Sequence, residues 1–154
     1  MEFESTFEAL REPVYHMATG TPILVILTLF LLALYGIGSF FSLYTQFSWF
    51  DMVLHALGGA WLASIFAALG PLRYPSFFIG FPPFRYVLRI VFLVLIAGGL
   101  WEIYEYGFAL WATARFGDLN FFQPTIDTLS DLALDAVGAA VVVLFLFREE
   151  REVA

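Results

Sequence analysis

Residues 86–110, YVLRIVFLVLIAGGLWEIYEYGFAL, form an apolar run interrupted only by Arg89, Glu102 and Glu105. A helix rises 1.5 Å per residue, so a segment of this length would cross the ~30 Å hydrocarbon core of a bilayer. The run therefore predicts a transmembrane helix. Its two glutamates are informative because acids inside a membrane helix are costly and usually functional.

The rest of the chain has the same apolar character. It is 61% hydrophobic and 14% charged with a mean hydropathy of +0.84, whereas soluble domains are about a quarter charged. We therefore expect an all-α, polytopic transmembrane four-helix bundle forming a single integral membrane domain over residues 1–154. The predicted spans are 22–44, 51–70, 86–110 and 126–147.

Composition also excludes several kinds of function. The absence of cysteine rules out disulfides, thiolate metal sites and cysteine nucleophiles. A net charge of −7 argues against a nucleic-acid partner, which requires a basic surface. The sequence contains no GxSxG elbow, P-loop or dinucleotide fingerprint. Chemistry in this chain must therefore depend on oxygen and imidazole groups.

The distribution of arginine predicts the topology. With an even number of spans, both tails and the middle loop lie on one side of the membrane, and positive charge marks the cytoplasmic side. We therefore predict a multi-pass protein of the cell membrane with both termini cytoplasmic. Aromatic residues in the middle loop predict that it lies in the inner interface. The arginines on that side are Arg11, Arg73, Arg85, Arg89, Arg148 and Arg151, with Arg115 opposite, and the loop aromatics are Phe77, Phe78, Phe81 and Phe84.

An internal similarity links the second and fourth spans. DMVLHALGGA at 51–60 aligns without gaps on DLALDAVGAA at 131–140, with five identities. The alignment favours two parallel two-helix repeats related by an axis along the membrane normal. Chance similarity between two apolar helices is the alternative.

Six acids lie within or beside the spans, and their spacing places them on three helix faces. Asp51 and His55 share one face, Glu102 and Glu105 a second, and the last three acids a third, since residues three or four apart are neighbours. The glutamates lie near the C-terminal end of the third span, at the surface where the second and fourth spans begin. The acids of all three faces therefore lie at similar depth, and we predict one acidic pocket in the outer half of the bilayer. The six acids are Asp51, Glu102, Glu105, Asp127, Asp131 and Asp135.

A divalent metal ion would compensate this charge. Carboxylates with one imidazole suit Mg²⁺, Mn²⁺, Ca²⁺, Zn²⁺ or Fe²⁺. We expect Glu105 and Asp135 to act as the general base or to orient a ligand. Capping by Asp51 or Asp127, interfacial exposure of Glu105, and a hydrogen-bonded core stay open as alternatives. The predicted metal ligands are Asp51, His55, Glu102, Asp131 and Asp127.

The order of these motifs resembles the YjdF-like family of uncharacterised prokaryotic membrane proteins. The resemblance covers about residues 22–147 and implies a small polytopic membrane protein, without implying an activity. A more distant similarity is to the VanZ-like family, associated with glycopeptide resistance, in which an asparagine occupies the position of Asp135. The motifs are Asp51-x3-His55, Trp101-Glu102-x2-Glu105 and Gln123-Pro124-x2-Asp127-Thr128-x2-Asp131-x3-Asp135-x2-Gly138-Ala139.

Three functions are compatible with such a pocket. We expect a metal-dependent hydrolase or transferase acting on a lipid-linked or amphiphilic substrate, because a metal near the interface can polarise a substrate oxygen. The alternatives are a cation or proton transporter or channel component, and a non-catalytic membrane assembly subunit. Expected partners are membrane lipids and a second copy of the chain in a homo-oligomer.

Overall fold

The computed structural model describes residues 21–78, 83–117 and 125–153, and these residues are helical without any strand. The predicted all-α class is confirmed. Phe81, Arg11 and the Gln123-Pro124 pair lie outside the described residues. The helices are α1 (Thr21–Phe40), α2 (Leu43–Gln46), α3 (Ser48–Arg73), α4 (Pro75–Phe78), α5 (Pro83–Phe116) and α6 (Thr125–Val153).

Three helices of the described part of the chain are long and apolar enough to cross a membrane. They contain Trp49–Pro71, Phe84–Phe116 and Asp127–Leu146, which correspond to the second, third and fourth predicted spans. The apolar part of α1, Leu24–Phe40, is shorter. A membrane crossing by α1, and with it the complete four-helix bundle, stays a prediction.

The predicted helix boundaries need correction. α1 ends at Phe40 instead of 44, because Ser42 adopts a left-handed backbone conformation with φ of 54°, which breaks the helical hydrogen-bond pattern. Conversely, α5 and α6 extend beyond 86–110 and 126–147. Both helices continue through charged residues at their ends. Hydropathy locates only the apolar part of a helix and therefore misses these extensions.

The connection after α3 is packed into the protein. Pro71 lies inside the last turn of α3, and a proline there cannot donate to the carbonyl four residues earlier. The hydroxyl of Tyr86 donates to that carbonyl, on Ala67, at 3.4 Å. Phe78 packs on Gly70 and is only 5% exposed. Phe78 is therefore part of the protein interior, whereas Phe77 and Phe84 are exposed. The position of the loop in the inner interface stays a prediction.

The main helix contact is between α3 and α6. A side chain at Gly59 would collide with the backbone of Asp135, and one at Gly138 would collide with the carbonyl of Ala56. The two similar segments, 51–60 and 131–140, therefore pack against each other in parallel and in register. Glycine permits this close approach. The relation between whole helix pairs stays a prediction.

An apolar core fills one half of the bundle. It is built from small and branched side chains of α3, α5 and α6, which pack around buried Ile90 and Val94 of α5. The acids lie in the other half, where α3 and α6 begin and α5 approaches its end. The other buried core members from the three helices are Ala63, Ala67, Ala139 and Val143.

Candidate metal centre

His55 lies about two turns into α3, and acids from three helices surround its side chain. Its Nε2 atom faces Glu102 Oε1 at 3.8 Å, Asp131 Oδ2 at 3.9 Å and Asp51 Oδ1 at 4.0 Å. These three carboxylates come from α5, α6 and α3. Ligand atoms that surround a Zn²⁺ ion tetrahedrally at ~2.1 Å stand about 3.4 Å apart. The three distances from Nε2 exceed this separation by about 0.4–0.6 Å.

The other ring nitrogen of His55 has a different neighbour. Nδ1 faces Asp135 Oδ1 at 3.5 Å. In metal sites, the nitrogen of histidine that does not bind the ion usually donates to a carboxylate, which sets the tautomer and the ring orientation. Asp135 therefore lies where an acid that orients a ligating histidine would lie, and both roles predicted for it stay predictions.

Burial leaves several carboxylate oxygens without partners. Asp131 is 1% exposed and Glu102 is 7% exposed. Both oxygens of each residue accept no hydrogen bond from the described residues, although Thr128 approaches Glu102 from α6. Unpartnered buried polar atoms are rare in proteins, and each requires an explanation such as an ion or water. The ion pairs described for these acids all involve His55, which can balance one negative charge.

The other predicted residues divide into two groups. Glu105 joins His55 and Glu102 in a set whose ligand atoms lie within 4.8 Å of one another, as do Asp51, His55 and Asp131. Asp127 belongs to neither set among the described residues. It is the third residue of α6, and Asp51 is the fourth residue of α3, after the N-cap residue Phe47. The interpretation of Asp51 as a helix cap is therefore wrong.

Two glycines allow the helices to bring these groups together. A side chain at Gly98 of α5 would collide with the carboxylate of Asp135, so only glycine leaves room for this acid between α5 and α6. Gly59 makes room for the backbone of the same residue on α3. Close packing of three helices around Asp135 therefore holds the acid against His55.

A mainly apolar cavity of about 550 Å³ adjoins the acidic group. Asp51, His55, Glu105 and Asp135 line one part of it. The remaining wall consists of aliphatic and aromatic side chains from α1, α3 and α5, so the polar group is continuous with a space suited to hydrocarbon. The wall includes Leu31, Leu32, Tyr35, Leu54, Trp61, Trp101 and Tyr104.

Tyr44, the last residue of the first predicted span, also lines the cavity. It lies in α2, between the apolar segments Leu24–Phe40 and Trp49–Pro71, and its hydroxyl is buried without a completed hydrogen bond, although Ser39 approaches it. Burial, together with the nearby Tyr35 and Asp51, raises the pKa of this phenol. Tyr44 is therefore a hydrogen-bond donor at physiological pH. Nothing in the sequence signals this role, because the contact depends on the turn at Ser42.

One comparison with known proteins gives a match. The model of a family described as "Predicted membrane protein (DUF2238)" matches residues 9–152, which is nearly the whole chain. No curated protein and no solved structure matches. The expectation of an uncharacterised membrane family is confirmed at this level, and the YjdF-like and VanZ-like resemblances stay predictions.

Proposed function

The chain belongs to the DUF2238 family of predicted membrane proteins, and we propose that it binds one divalent metal ion between α3, α5 and α6 and uses it on an amphiphilic substrate. The observation that carries the proposal is the pair of buried acids Glu102 and Asp131, whose oxygens lack hydrogen-bond partners while facing His55 Nε2. An ion at that point would bind all three groups.

Charge supports an ion more strongly than a protein counter-charge. Five carboxylates surround one imidazole, and the arginine closest in sequence, Arg115, is exposed and lies over the ring of Phe116. Charges removed from water require compensation by an opposite charge, by a metal or by protonation. A divalent cation compensates two charges at once and also satisfies several oxygen atoms.

The ligand set limits the metal. Oxygen ligands with one imidazole suit Zn²⁺, Mn²⁺, Fe²⁺, Mg²⁺ or Ca²⁺, and the absence of thiolate argues against soft ions. We assign Asp51, His55, Glu102 and Asp131 as ligands, with Asp135 orienting His55. Asp127, one turn before Asp131 on α6, joins the ligands only if the first turn of that helix moves inward.

The position of Glu105 favours catalysis over storage of the ion. Glu105 lies beside the ligand set and lines the apolar cavity, with one buried oxygen that accepts no hydrogen bond from the described residues. A divalent ion polarises a substrate oxygen and lowers the pKa of bound water. With an ion bound, Glu105 would lie close enough to accept or donate a proton at the cavity wall. This placement supports our proposal of hydrolysis or group transfer on a lipid-linked or amphiphilic substrate in the outer half of the bilayer.

Metal titration of purified protein tests the proposal. Protein stripped with a chelator and reconstituted in nanodiscs should bind one equivalent of Mn²⁺ or Zn²⁺. Asp131→Asn should weaken the affinity by at least 100-fold, because a neutral amide replaces a charged ligand. Asp127→Asn is the matched control on the same helix, and it should change the affinity by less than fivefold.

Two results would contradict the proposal. Binding of less than a tenth of an equivalent by the parent protein would exclude a resident ion. Equal loss in the two variants would show that general negative charge, and not this ligand set, attracts the metal. Cation flux into liposomes that Asp131→Asn abolishes, without turnover of any amphiphile, would instead support the transporter alternative.

A further inference from the structure

The cavity beside the acids has the size of a single hydrocarbon chain. Its volume is about 550 Å³, and a methylene group takes up about the volume of a water molecule in the liquid, roughly 30 Å³. Twelve methylene groups, which form a chain about 15 Å long when extended, therefore fit in this space.

A hydrogen bond between two helices lies in the cavity wall. Trp61 Nε1 donates to Thr28 Oγ1 at 2.8 Å, which joins α3 to α1. Both residues line the cavity, as does Asp51 ten residues before Trp61 on α3. At 1.5 Å per residue, Asp51 and Trp61 are about 15 Å apart along the helix axis. An extended chain can therefore lie along α3 between them.

One wall of the cavity, between α1 and α5, is exposed. Tyr35 and Trp101 line it, are 46% and 42% exposed, and meet edge to face with ring centroids 6.3 Å apart. The exposed wall gives a molecule in the bilayer a route into the cavity by a shift of two aromatic side chains. A water-soluble substrate would meet this apolar surface first.

The polar end selects against an anionic head group. Asp51, Glu105 and Asp135 line it, and a negative head would be repelled by these acids. Tyr44 also lines this end, and its buried hydroxyl completes no hydrogen bond with the described residues. A phenol donor that lacks an acceptor suits a neutral oxygen, such as that of an alcohol or an ester.

We infer that this cavity binds a neutral single-chain amphiphile, a long-chain alcohol or its ester, with its oxygen at Tyr44 and its chain running to Trp61. The inference rests on the proposed function only in identifying this molecule as the substrate class, since the cavity and its lining are independent of any metal.

Quenching of Trp61 by a brominated chain tests the inference. A variant with Trp49, Trp101 and Trp111 replaced by phenylalanine keeps Trp61 as its one tryptophan. In nanodiscs, 12-bromododecanol should quench the fluorescence of Trp61 with a saturable component above the linear collisional background, because its bromine reaches Trp61 when the chain lies in the cavity. Tyr44→Phe in the same background should raise the half-saturation concentration roughly three- to tenfold, because one hydrogen bond to the alcohol is lost.

Two glycines provide a matched pair of variants. Gly58 lines the cavity and Gly99 does not, and a Cβ atom at either position meets nothing within 4 Å. Gly58→Leu should fill the cavity and abolish the saturable quenching, whereas Gly99→Leu should retain it. Equal quenching in both variants, or no saturable component in the parent, would overturn the inference.

Two competitors test the chemical class. Unbrominated dodecanol should displace the probe, and added diacyl phosphatidylcholine should not. Binding of 12-bromododecanoate should be at least tenfold weaker than that of the alcohol. Displacement by the diacyl lipid, or equal binding of the carboxylate, would overturn the assignment. The readout requires no metal, so a failure here is distinct from a failure of metal binding.

Discussion

The two ring nitrogens of His55 have different neighbours, and the proposed centre gives them different roles. Nε2 faces three acids from three helices, while Nδ1 faces Asp135. An ion on Nε2 requires the proton to reside on Nδ1, and Asp135 is placed to accept that proton in a hydrogen bond. The acid thereby sets both the tautomer and the orientation of the ring.

Asp135→Asn should weaken metal affinity 10- to 100-fold without changing the stoichiometry of one ion. The physical reason is the loss of a charged acceptor behind the ligand, which lowers the basicity of the imidazole and loosens its orientation. Equilibrium dialysis against a metal buffer measures the change. A stoichiometry that falls to zero would instead place Asp135 among the direct ligands.

The individual members of the centre were predictable from sequence to a useful extent. Asp51, His55, Glu102 and Asp131 could be grouped because helical spacing and equal depth converge on one point. The division between ligands and the orienting Asp135 could not be predicted, since it depends on side-chain rotamers and on the room that Gly98 leaves. The role of Tyr44 could not be predicted, because its position depends on the left-handed backbone conformation of Ser42.

The α3–α6 contact is the element on which the centre depends. It brings Asp131 and Asp135 beside His55, and it requires glycine where the two backbones meet. The similarity of 51–60 and 131–140 predicted related helix pairs, and the direct packing of the two segments on each other was not predicted. The end of α1 at Phe40 was not predicted either, because an apolar sequence continues past it.

Gly59→Ala should destabilise the protein by about 1–3 kcal/mol, because its methyl group would overlap the backbone of Asp135 and force the helices apart. The neighbouring Gly58→Ala is the control, since a methyl group there meets nothing within 4 Å. It should be neutral or stabilising by up to about 1 kcal/mol through better helix propensity. Free energies of unfolding from detergent denaturation measure both, and equal effects would contradict the packing described here.

At the scale of the whole molecule, the bundle combines an apolar half with a polar half. Ile90, Val94 and their neighbours form a well-packed core, whereas the acids form a cluster with unpartnered oxygens. If the proposed ion is bound, it should therefore stabilise the polar half. The overall helical class was predictable from hydropathy alone, because a bilayer admits few other structures.

Metal should raise the thermal stability of the protein. An ion at 100 times its dissociation constant stabilises the folded state by about 2.7 kcal/mol if the unfolded state does not bind it. The gain should be larger at pH 8 than at pH 5, since protons compete for the carboxylates and the imidazole at low pH. Thermal melts with and without Mn²⁺ measure it. A melting temperature that does not change with Mn²⁺, or an increase that is as large in Asp131→Asn, would contradict the account.

X-ray absorption spectroscopy of the zinc-loaded protein tests the central claim most directly. The chain has two histidines, and replacing His16 by glutamine leaves His55 as the one source of imidazole. We predict a first shell with one imidazole nitrogen and otherwise oxygen at about 2.0–2.2 Å. A shell of oxygen alone, with no imidazole scattering, would place the ion elsewhere and contradict the assignment of the centre to His55.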